Sequence, residues 1–303
     1  MLRAPIGFRP RVVAMEELIE KAKILQEALP YIRRFHGSTF VIKYGGSAMT
    51  DAKLQESFVR DVVLMKYVGM NPIVVHGGGP QIDETLRGLG IAPRKVEGLR
   101  VTDDRTMEVV EMVLAGRINK HIVSLIGQQG GRAVGLSGID DGLFLARKAP
   151  PVQTKTGPVD TGRVGEIREV RPHVLSALVS AGVIPVVAPL GVDSDGRSLN
   201  INADTAAGEL AGALKAEKLV LLTDTKGVCD RDGNLLQSLT AAQIAKLRES
   251  EVITGGMIPK VECALGALAG GVSKVHVLDG RVQHCILLEI FTDRGIGTEI
   301  LRS

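Results

Sequence analysis

The chain has 303 residues, of which 45% are hydrophobic and 23% charged, as is typical of soluble globular proteins. Its 37 basic and 34 acidic side chains nearly balance and only 3% of residues are aromatic, which disfavours a dedicated nucleic-acid binder. No apolar run approaches the ~20 residues that a membrane span needs, and the N-terminus lacks the apolar segment of a signal peptide.

A helix is predicted first, over residues 15–35. Apolar residues recur along it at spacings of three and four, which gives one apolar stripe. The stripe consists of Leu18, Ala22, Leu25, Leu29 and Ile32. It packs either on its own subunit or against another subunit, and Pro30 should kink the helix. Either Met1 or Met15 can be the start, and the segment before Met15 is expected to be poorly ordered.

Strands and helices then alternate. The predicted strands are "TFVIKY", "PIVVHGG", "AVGLSG", "IPVVAPLG", "KLVLLTDT" and "KVHVLDG". Because these runs are continuously apolar, we expect them to be buried on both faces. Helices are predicted between them at residues 55–68, 204–214 and 257–269. The pattern predicts the α/β class, as an αβα sandwich with a mainly parallel central sheet.

One region, residues 145–170, departs from this alternation. Its sequence, "LARKAPPVQTKTGPVDTGRVGEIREV", is rich in Gly, Pro, Thr and charge. It is typical of turns and short antiparallel strands inserted at the edge of a sheet. Such an insertion either covers a ligand or decorates the surface.

Glycine-rich turns follow the first two strands. Lys43 and His76 lie at the strands' carboxyl ends, where doubly wound sheets bind ligands. In "KYGGS" and "HGGGP" the glycines let backbone N–H groups approach an anion. Neither segment is a P-loop or GxGxxG, and either one alone is equally typical of a tight turn. Together, and with a strand-terminal lysine, they favour phosphate handling.

Two further polar clusters follow in the second half of the chain. In "LNINADTAAGELAGAL", Asn200 and Asn202 face one way on an extended segment, and Asp204 lies near a helix start. A simple helix N-cap by Asp204 or Asn202 is the structural alternative. In "TGGMIPKVECALGALAGG", Lys260 follows two glycines and opens a helix. Its alternative is a solvated surface lysine.

The combination of motifs resembles the amino acid kinase family. The matching segments are "IKYGGS", "VVHGGGPQI", "GLRVTD", "NINADTAA", "LLTDTKGV" and "TGGMIPKV", in the family's order, and the resemblance covers residues 41–298. "GLRVTD" resembles the branch that acts on N-acetyl-L-glutamate. The resemblance implies that ATP phosphorylates the side-chain carboxylate of N-acetyl-L-glutamate, in the second step of arginine biosynthesis. It also implies the family's fold, with an added N-terminal helix.

The resemblance assigns the catalytic roles as well. Lys43 and Lys260 would contact the transferring phosphoryl group from either side, and Asp204 would hold both lysines. Gly46 and Gly78 would donate backbone N–H groups to the phosphoryl oxygens. No general base is required, because a carboxylate is already ionised at neutral pH.

Substrate contacts are implied in the same way. Arg100 would clamp the α-carboxylate, since a guanidinium matches a carboxylate bidentately. Asn200 and Asn202 would bind the acetamido group and neighbouring oxygens, and Gly78 and Gly79 would line that pocket.

For ATP, the resemblance points to two turns in the C-terminal half. Asp224, Gly227 and Cys229 lie in the first turn, and Val252 and Thr254 lie in the second. Mg²⁺ would be bound mainly by the phosphates, without a dedicated protein site.

Regulation by L-arginine is also implied. The N-terminal helix and "HCILLEIFTDRGIGTEI" resemble the arginine-inhibited branch, in which such helices join dimers into a hexamer (a trimer of dimers). His284, Glu289 and Gly295 are candidates near the effector, and a plain edge strand and turn is the alternative. The expected domains are an oligomerisation extension (1–37), an N-lobe for acetylglutamate and dimerisation (38–214) and a C-lobe for ATP and arginine (215–303).

Other functions remain open at this point. A related kinase acting on aminoadipate or glutamate held by a carrier protein shares the lysines and the arginine clamp. A non-catalytic sensor of nucleotide or amino acid is a second alternative, and a dehydrogenase ranks last because GxGxxG is absent. The three scattered cysteines, Cys229, Cys263 and Cys285, predict a reducing, cytoplasmic location.

Overall fold

A computed structural model describes residues 15–302. The helices are α1 Met15–Phe35, α2 Ala52–Tyr67, α3 Gly79–Gly88, α4 Asp104–Glu111, α5 Asn119–Gln128, α6 His173–Ser180, α7 Ala203–Ala213, α8 Ala241–Glu249, α9 Met257–Ala269 and α10 Cys285–Ile290, with a π-helical segment, Met112–Ile118, joining α4 to α5. The predicted helix at residues 55–68 begins earlier, at Ala52. Its start is fixed by Asp51, whose Oδ1 accepts hydrogen bonds from the backbone N–H groups of Lys53 and Leu54.

Helices separate most strands of the central sheet, as predicted. The strands are β1 Thr39–Tyr44, β2 Asn71–His76, β3 Lys95–Val96, β4 Leu99–Arg100, β5 Ala133–Ser137, β6 Phe144–Lys148, β7 Val152–Thr154, β8 Gly157–Val159, β9 Gly165–Val170, β10 Ile184–Ala188, β11 Leu190–Val192, β12 Ser198–Asn200, β13 Lys218–Thr223, β14 Ser238–Thr240, β15 Lys274–Asp279 and β16 Thr298–Leu301.

The central sheet has eight strands in the order β14-β16-β15-β13-β1-β2-β10-β5. Its pairings are parallel except that between β15 and β16. Strand β1 lies in the middle, with Lys43 opposite Val75 of β2 and Leu221 of β13. The inner strands are buried on both faces beneath two apolar clusters. This confirms the predicted αβα sandwich and brings the carboxyl ends of β1, β2 and β13 to one edge.

The insertion at residues 145–170 forms short antiparallel strands, as predicted. β6 pairs with β9 and β7 pairs with β8, and β6 also joins β11 and β12 in a separate four-stranded sheet. The segment "IPVVAPLG" was predicted as one strand but is two, β10 and β11, in different sheets. Pro189 separates them because it has no N–H group with which to continue the ladder.

Helix α1 projects from this body. Of its residues only Phe35 is buried, where its ring packs edge-on against Phe40 at 5.5 Å. The predicted apolar stripe faces outward, and Leu25 is 72% exposed. The structure therefore does not show the stripe packed against its own subunit.

No helix among residues 15–302 has the length and apolar character needed to cross a membrane. The segment before Met15, for which poor order was expected, lies outside the described residues.

Candidate active site

Lys43, Asp204 and Lys260 meet although they are far apart in sequence. Lys43 Nζ lies 3.0 Å from Asp204 Oδ1, and Lys260 Nζ donates to Asp204 Oδ2 at 2.8 Å. Lys43 is the penultimate residue of β1, Asp204 lies in the first turn of α7, and Lys260 lies in the first turn of α9. One carboxylate thus holds two ammonium groups at the carboxyl edge of the sheet.

The three groups are mostly buried, which strengthens their electrostatic coupling. Burial lowers the pKa of Lys43, and the charge of Asp204 opposes that shift. Burial alone would raise the pKa of Asp204, but the two ammonium groups outweigh it and lower that pKa. The carboxylate is therefore ionised at neutral pH, and the trio with both lysines protonated carries one positive charge.

The first glycine turn adjoins Lys43, whose Nζ would lie 2.7 Å from a Cβ at Gly45. Gly46 has φ +69°, and a Cβ there would lie 2.6 Å from Asp224 Oδ1. The same oxygen accepts a hydrogen bond from the backbone N–H of Ser47 at 2.7 Å. Asp224, predicted as an ATP contact, thus also links the end of β13 to the turn after β1. Glycine is required at position 46 for both its conformation and its close approach.

The second glycine turn needs Gly78 for space. Gly78 has φ 171° and ψ 18°, and a Cβ there would lie 2.5 Å from Ile118 Cδ1 and 2.6 Å from Leu114 Cδ2. Both side chains come from the π-helical segment, a kind of helix that is frequent at functional sites. This segment was not predicted as a special feature, because the wide turns of a π-helix have no simple sequence signature.

A cavity of about 200 Å³ adjoins the second turn. It brings together every residue predicted to contact the amino acid: Gly78, Gly79, Arg100, Asn200 and Asn202. Ile82, Leu114 and Ile201 supply apolar walls. A mixed polar and apolar lining of this kind suits a small acylated amino acid.

Arg100 is held in this cavity by contacts that sequence reasoning missed. Its Nη1 lies 2.5 Å from Asp83 Oδ1, and its Nη2 donates to the carbonyl of Gly79 at 3.0 Å. Burial alone would raise the pKa of Asp83, but Arg100 and Lys95 lower it. Asp83 therefore orients the guanidinium. No sequence motif marks this residue.

The two asparagines also have structural partners. Asn202 caps α7, since its Oδ1 accepts from the N–H groups of Asp204 and Thr205 at 2.8 and 3.2 Å. The N-cap alternative therefore holds for Asn202, which still lines the cavity. Asn200 Nδ2 donates to Thr102 Oγ1 at 3.3 Å.

The remaining predicted ATP residues lie in the C-terminal half. Gly227 has φ +139°, and a Cβ there would lie 2.6 Å from Thr298 Oγ1. Cys229 forms an isolated bridge with Leu235. Thr254 lines an open groove of about 790 Å³ beside α8, whereas Val252 is not among the residues that line it.

The three effector candidates fall into two separate clusters. Glu289 accepts from His276 Nδ1 at 2.7 Å and from the backbone N–H of Ile296, and Gly295 packs against its carboxylate. His284 instead contacts Asp61 of α2, with Nδ1 2.6 Å from Oδ1. The plain strand-and-turn alternative is incomplete, because this segment contains α10 and its strand β16 lies inside the sheet.

A carboxylate joining two ammonium groups, beside glycine turns at the end of a parallel sheet, defines a site for transfer of an anionic group. A model described as "Amino acid kinase family" matches residues 38–279. The chain therefore belongs to the amino acid kinase family.

Particular relatives narrow the resemblance. The chain is 59% identical to the acetylglutamate kinase of Geotalea uraniireducens over 95% of this chain and 100% of that one. It is 58% identical to the acetylglutamate kinase of Aquifex aeolicus over 94% of this chain and 99% of that one. These relatives confirm the family and the branch predicted from the sequence.

Solved structures confirm the predicted fold class. An N-acetylglutamate synthase from Neisseria gonorrhoeae, complexed with coenzyme A and N-acetyl-glutamate, matches with a TM-score of 0.81 and 29% identity. The match covers 93% of this chain and 63% of that longer one. Carbamate kinase from Giardia lamblia matches with a TM-score of 0.65 at 16% identity, over 88% of this chain and 99% of that one, which shows the shared fold alone.

Proposed function

We propose that the chain transfers the γ-phosphoryl group of ATP to the side-chain carboxylate of N-acetyl-L-glutamate, giving an acyl phosphate and ADP. The observation that carries this proposal is the pair of lysines joined by Asp204 next to a cavity that contains Arg100. The acetylglutamate kinases to which the chain is 54–59% identical support the choice of substrate.

The arrangement meets the main obstacle to this reaction. Two unit charges ~4 Å apart repel by about 4 kcal/mol at an effective dielectric of ~20, and both carboxylate and triphosphate are anionic. Lys43 and Lys260 would neutralise the transferring group from two sides. Asp204 keeps both ammonium groups fixed before the substrates arrive, so little reorganisation is needed during the reaction.

The substrate would lie in the cavity with its α-carboxylate on Arg100. Asp83 and the carbonyl of Gly79 hold the guanidinium in place. Asn200 and Asn202 would contact the acetamido group. The carboxylate at the other end of the substrate would then approach the two lysines, and its own negative charge makes it the nucleophile without a base.

ATP would bind on the other side, along the turn that contains Asp224, Gly227 and Cys229 and towards Val252 and Thr254. Mg²⁺ would enter with the nucleotide and supply charge neutralisation between its phosphates. Both oxygens of Asp204 already face ammonium groups, so this carboxylate is a poor ligand for the ion. Phosphate oxygens would therefore be the main ligands.

Replacing Arg100 by lysine tests the substrate assignment. The ammonium group of lysine is a point charge and cannot replace a buried guanidinium that would hold the α-carboxylate with two hydrogen bonds. Charged hydrogen bonds of this kind contribute about 1.5–3 kcal/mol. We expect KM for N-acetyl-L-glutamate to rise about 30- to 100-fold while KM for ATP changes less than about threefold. Arg87→Lys, on the exposed side of α3, is the matched control. A change confined to KM for ATP would refute the assignment.

Assembly and feedback belong to the same proposal. The outward-facing stripe of α1 would pack against α1 of a second copy and join dimers into a hexamer.

Tyr31 near the end of α1 contacts the Asp293 carboxylate and packs edge-on against Phe291 at 6.3 Å, beside the loop that surrounds Glu289. L-Arginine bound near Glu289 and Gly295 would act through this contact. A second N-acetylglutamate synthase structure from N. gonorrhoeae (TM-score 0.79, 27% identity, 93% of this chain, 65% of that chain) contains L-arginine.

Leu25→Glu tests the assembly and its link to arginine. A charge in the middle of the stripe opposes burial of that face, so we expect a smaller assembly and loss of arginine inhibition with basal kcat within about twofold. Lys23→Glu, on the side of the same helix opposite the stripe, is the control. Analytical ultracentrifugation and inhibition curves measure both effects. Wild-type assembly and inhibition in Leu25→Glu would refute the proposal.

A cytoplasmic location is proposed alongside this activity. Its support is that Cys229, Cys263 and Cys285 are all free thiols, which suits a reducing compartment.

A further inference from the structure

A buried polar network lies beneath the second glycine turn. His76 ends β2 and Asn119 begins α5, and both side chains are fully buried. His76 Nδ1 lies 2.9 Å from the carbonyl oxygen of Gly77. A carbonyl oxygen can only accept, so Nδ1 carries the proton and donates. Burial lowers the pKa of His76 to about 4, so the ring is neutral at neutral pH and Nε2 is an acceptor.

The Asn119 amide group faces that acceptor, and its two N–H protons are shared among three acceptors. Its Nδ2 lies 3.3 Å from His76 Nε2, 2.9 Å from the carbonyl oxygen of Val186 and 3.2 Å from that of Leu136. One amide group thus links β2, β10 and β5, which are neighbours in the sheet, near their carboxyl ends. A side chain tied to three strands is a rigid support for the imidazole ring.

The opposite face of Asn119 is also fixed. Its Oδ1 accepts from Lys120 Nζ at 3.1 Å, and Lys120 donates at 2.7 Å to the carbonyl of Gly135. A Cβ at Gly135 would lie only 1.7 Å from Asn119 Oδ1. The strand therefore needs a glycine at this position for the amide to fit.

The bond between His76 and Gly77 controls a neighbouring donor. The carbonyl of Gly77 and the N–H of Gly78 belong to one planar trans peptide and point in opposite directions. Fixing the Gly77 oxygen towards His76 therefore points the Gly78 N–H away from the buried ring. The N–H of Gly77 is fixed as well, since it donates to the carbonyl of Tyr44 at 2.8 Å.

We propose that His76, held by Asn119, is a positioning residue that directs the Gly78 N–H at the transferring phosphoryl group. The proposal rests on the proposed function, in which Gly78 donates to the phosphoryl oxygens. None of the side chains of this network lines the cavity that would hold the amino acid. The effect of the network should fall on the transition state, where charge on those oxygens is greatest, more than on substrate binding.

Two conservative variants test the roles of the two ring nitrogens separately. Asparagine places an amide nitrogen where Nδ1 lies, so His76→Asn keeps the donor to Gly77. Glutamine reaches to the position of Nε2, so His76→Gln keeps a partner for Asn119 and loses that donor. We expect kcat to fall about 30-fold or more in His76→Gln and less than about fivefold in His76→Asn. KM for both substrates should change less than about threefold, and His121→Asn, at an exposed position of α5, is the unaffected control.

Urea unfolding and NMR complete the test. Each variant loses one buried hydrogen bond, so their free energies of unfolding should be similar although their kcat values differ. In ¹⁵N-histidine spectra at pH 7, one ring protonated on Nδ1 should disappear in His76→Asn. Equal kcat losses in the two variants, or a His76 ring protonated on Nε2, would overturn the proposal. A wild-type protein without kinase activity would instead overturn the proposed function.

Discussion

Lys43→Ala is expected to lower kcat by about 10³-fold, because it removes a fixed cation from the transferring phosphoryl group. Lys43→Arg should also lose more than about tenfold, although it keeps the charge. Lys43 Nζ would lie only 2.7 Å from a Cβ at Gly45, so the larger guanidinium has little room beside that turn. Steady-state kinetics with both substrates at saturation measures the loss.

Lys53→Ala is the matched control, since Lys53 lies exposed in the first turn of α2 near the same turn. It should retain wild-type kcat. If Lys43→Ala kept more than about a tenth of the wild-type kcat while remaining folded, Lys43 would not be the cation that the phosphoryl group requires.

Asp204→Asn is expected to affect both activity and stability. It leaves two ammonium groups together without a counter-charge, and breaking a buried ion pair in this way costs about 3–5 kcal/mol of unfolding free energy. We expect kcat to fall at least about 10²-fold, since both lysines lose the group that orients them. Asp160→Asn, which breaks an exposed pair with Lys148, should cost less than about 1 kcal/mol.

The same variant predicts a shift in pH dependence. Burial lowers the pKa of Lys43, and Asp204 opposes that shift in the wild type. Without the carboxylate the pKa of Lys43 falls further, so the ammonium form is lost at a lower pH. The alkaline limb of the kcat profile should therefore move to lower pH in Asp204→Asn. A limb that stays in place or moves to higher pH would contradict the coupling between Asp204 and Lys43.

Sequence pattern predicted the layers of the fold well, since buried parallel strands leave continuous apolar runs such as "KLVLLTDT". The helix at Met257–Ala269 was predicted with its observed bounds. Where the structure differs from the prediction, the cause is the environment that the folded chain gives to a segment. Pro189 divided an apolar run between two sheets, and the π-helical Met112–Ile118 has no pattern that separates it from an ordinary helix.

Residues of the site could be predicted from the sequence only where a single segment carries a recognisable motif. Lys43, Asp204 and Lys260 lie in recognisable motifs, and the prediction that they meet came from the resemblance to the family. Asp83 and Asn119 carry none, because their partners come from segments that only the folded chain brings near. His284 and Glu289 are close in sequence, yet their side chains point into different clusters.

The proposed reaction is tested most directly by trapping its product. Purified protein with Mg-ATP and N-acetyl-L-glutamate should give an acyl phosphate that hydroxylamine converts to a hydroxamate, and Lys43→Ala should give almost none. Glutamate and aminoadipate, run in parallel, should give no product, because neither carries the acetamido group that Asn200 and Asn202 would bind. Absence of hydroxamate from N-acetyl-L-glutamate, with ATP and Mg²⁺ saturating, would contradict the account.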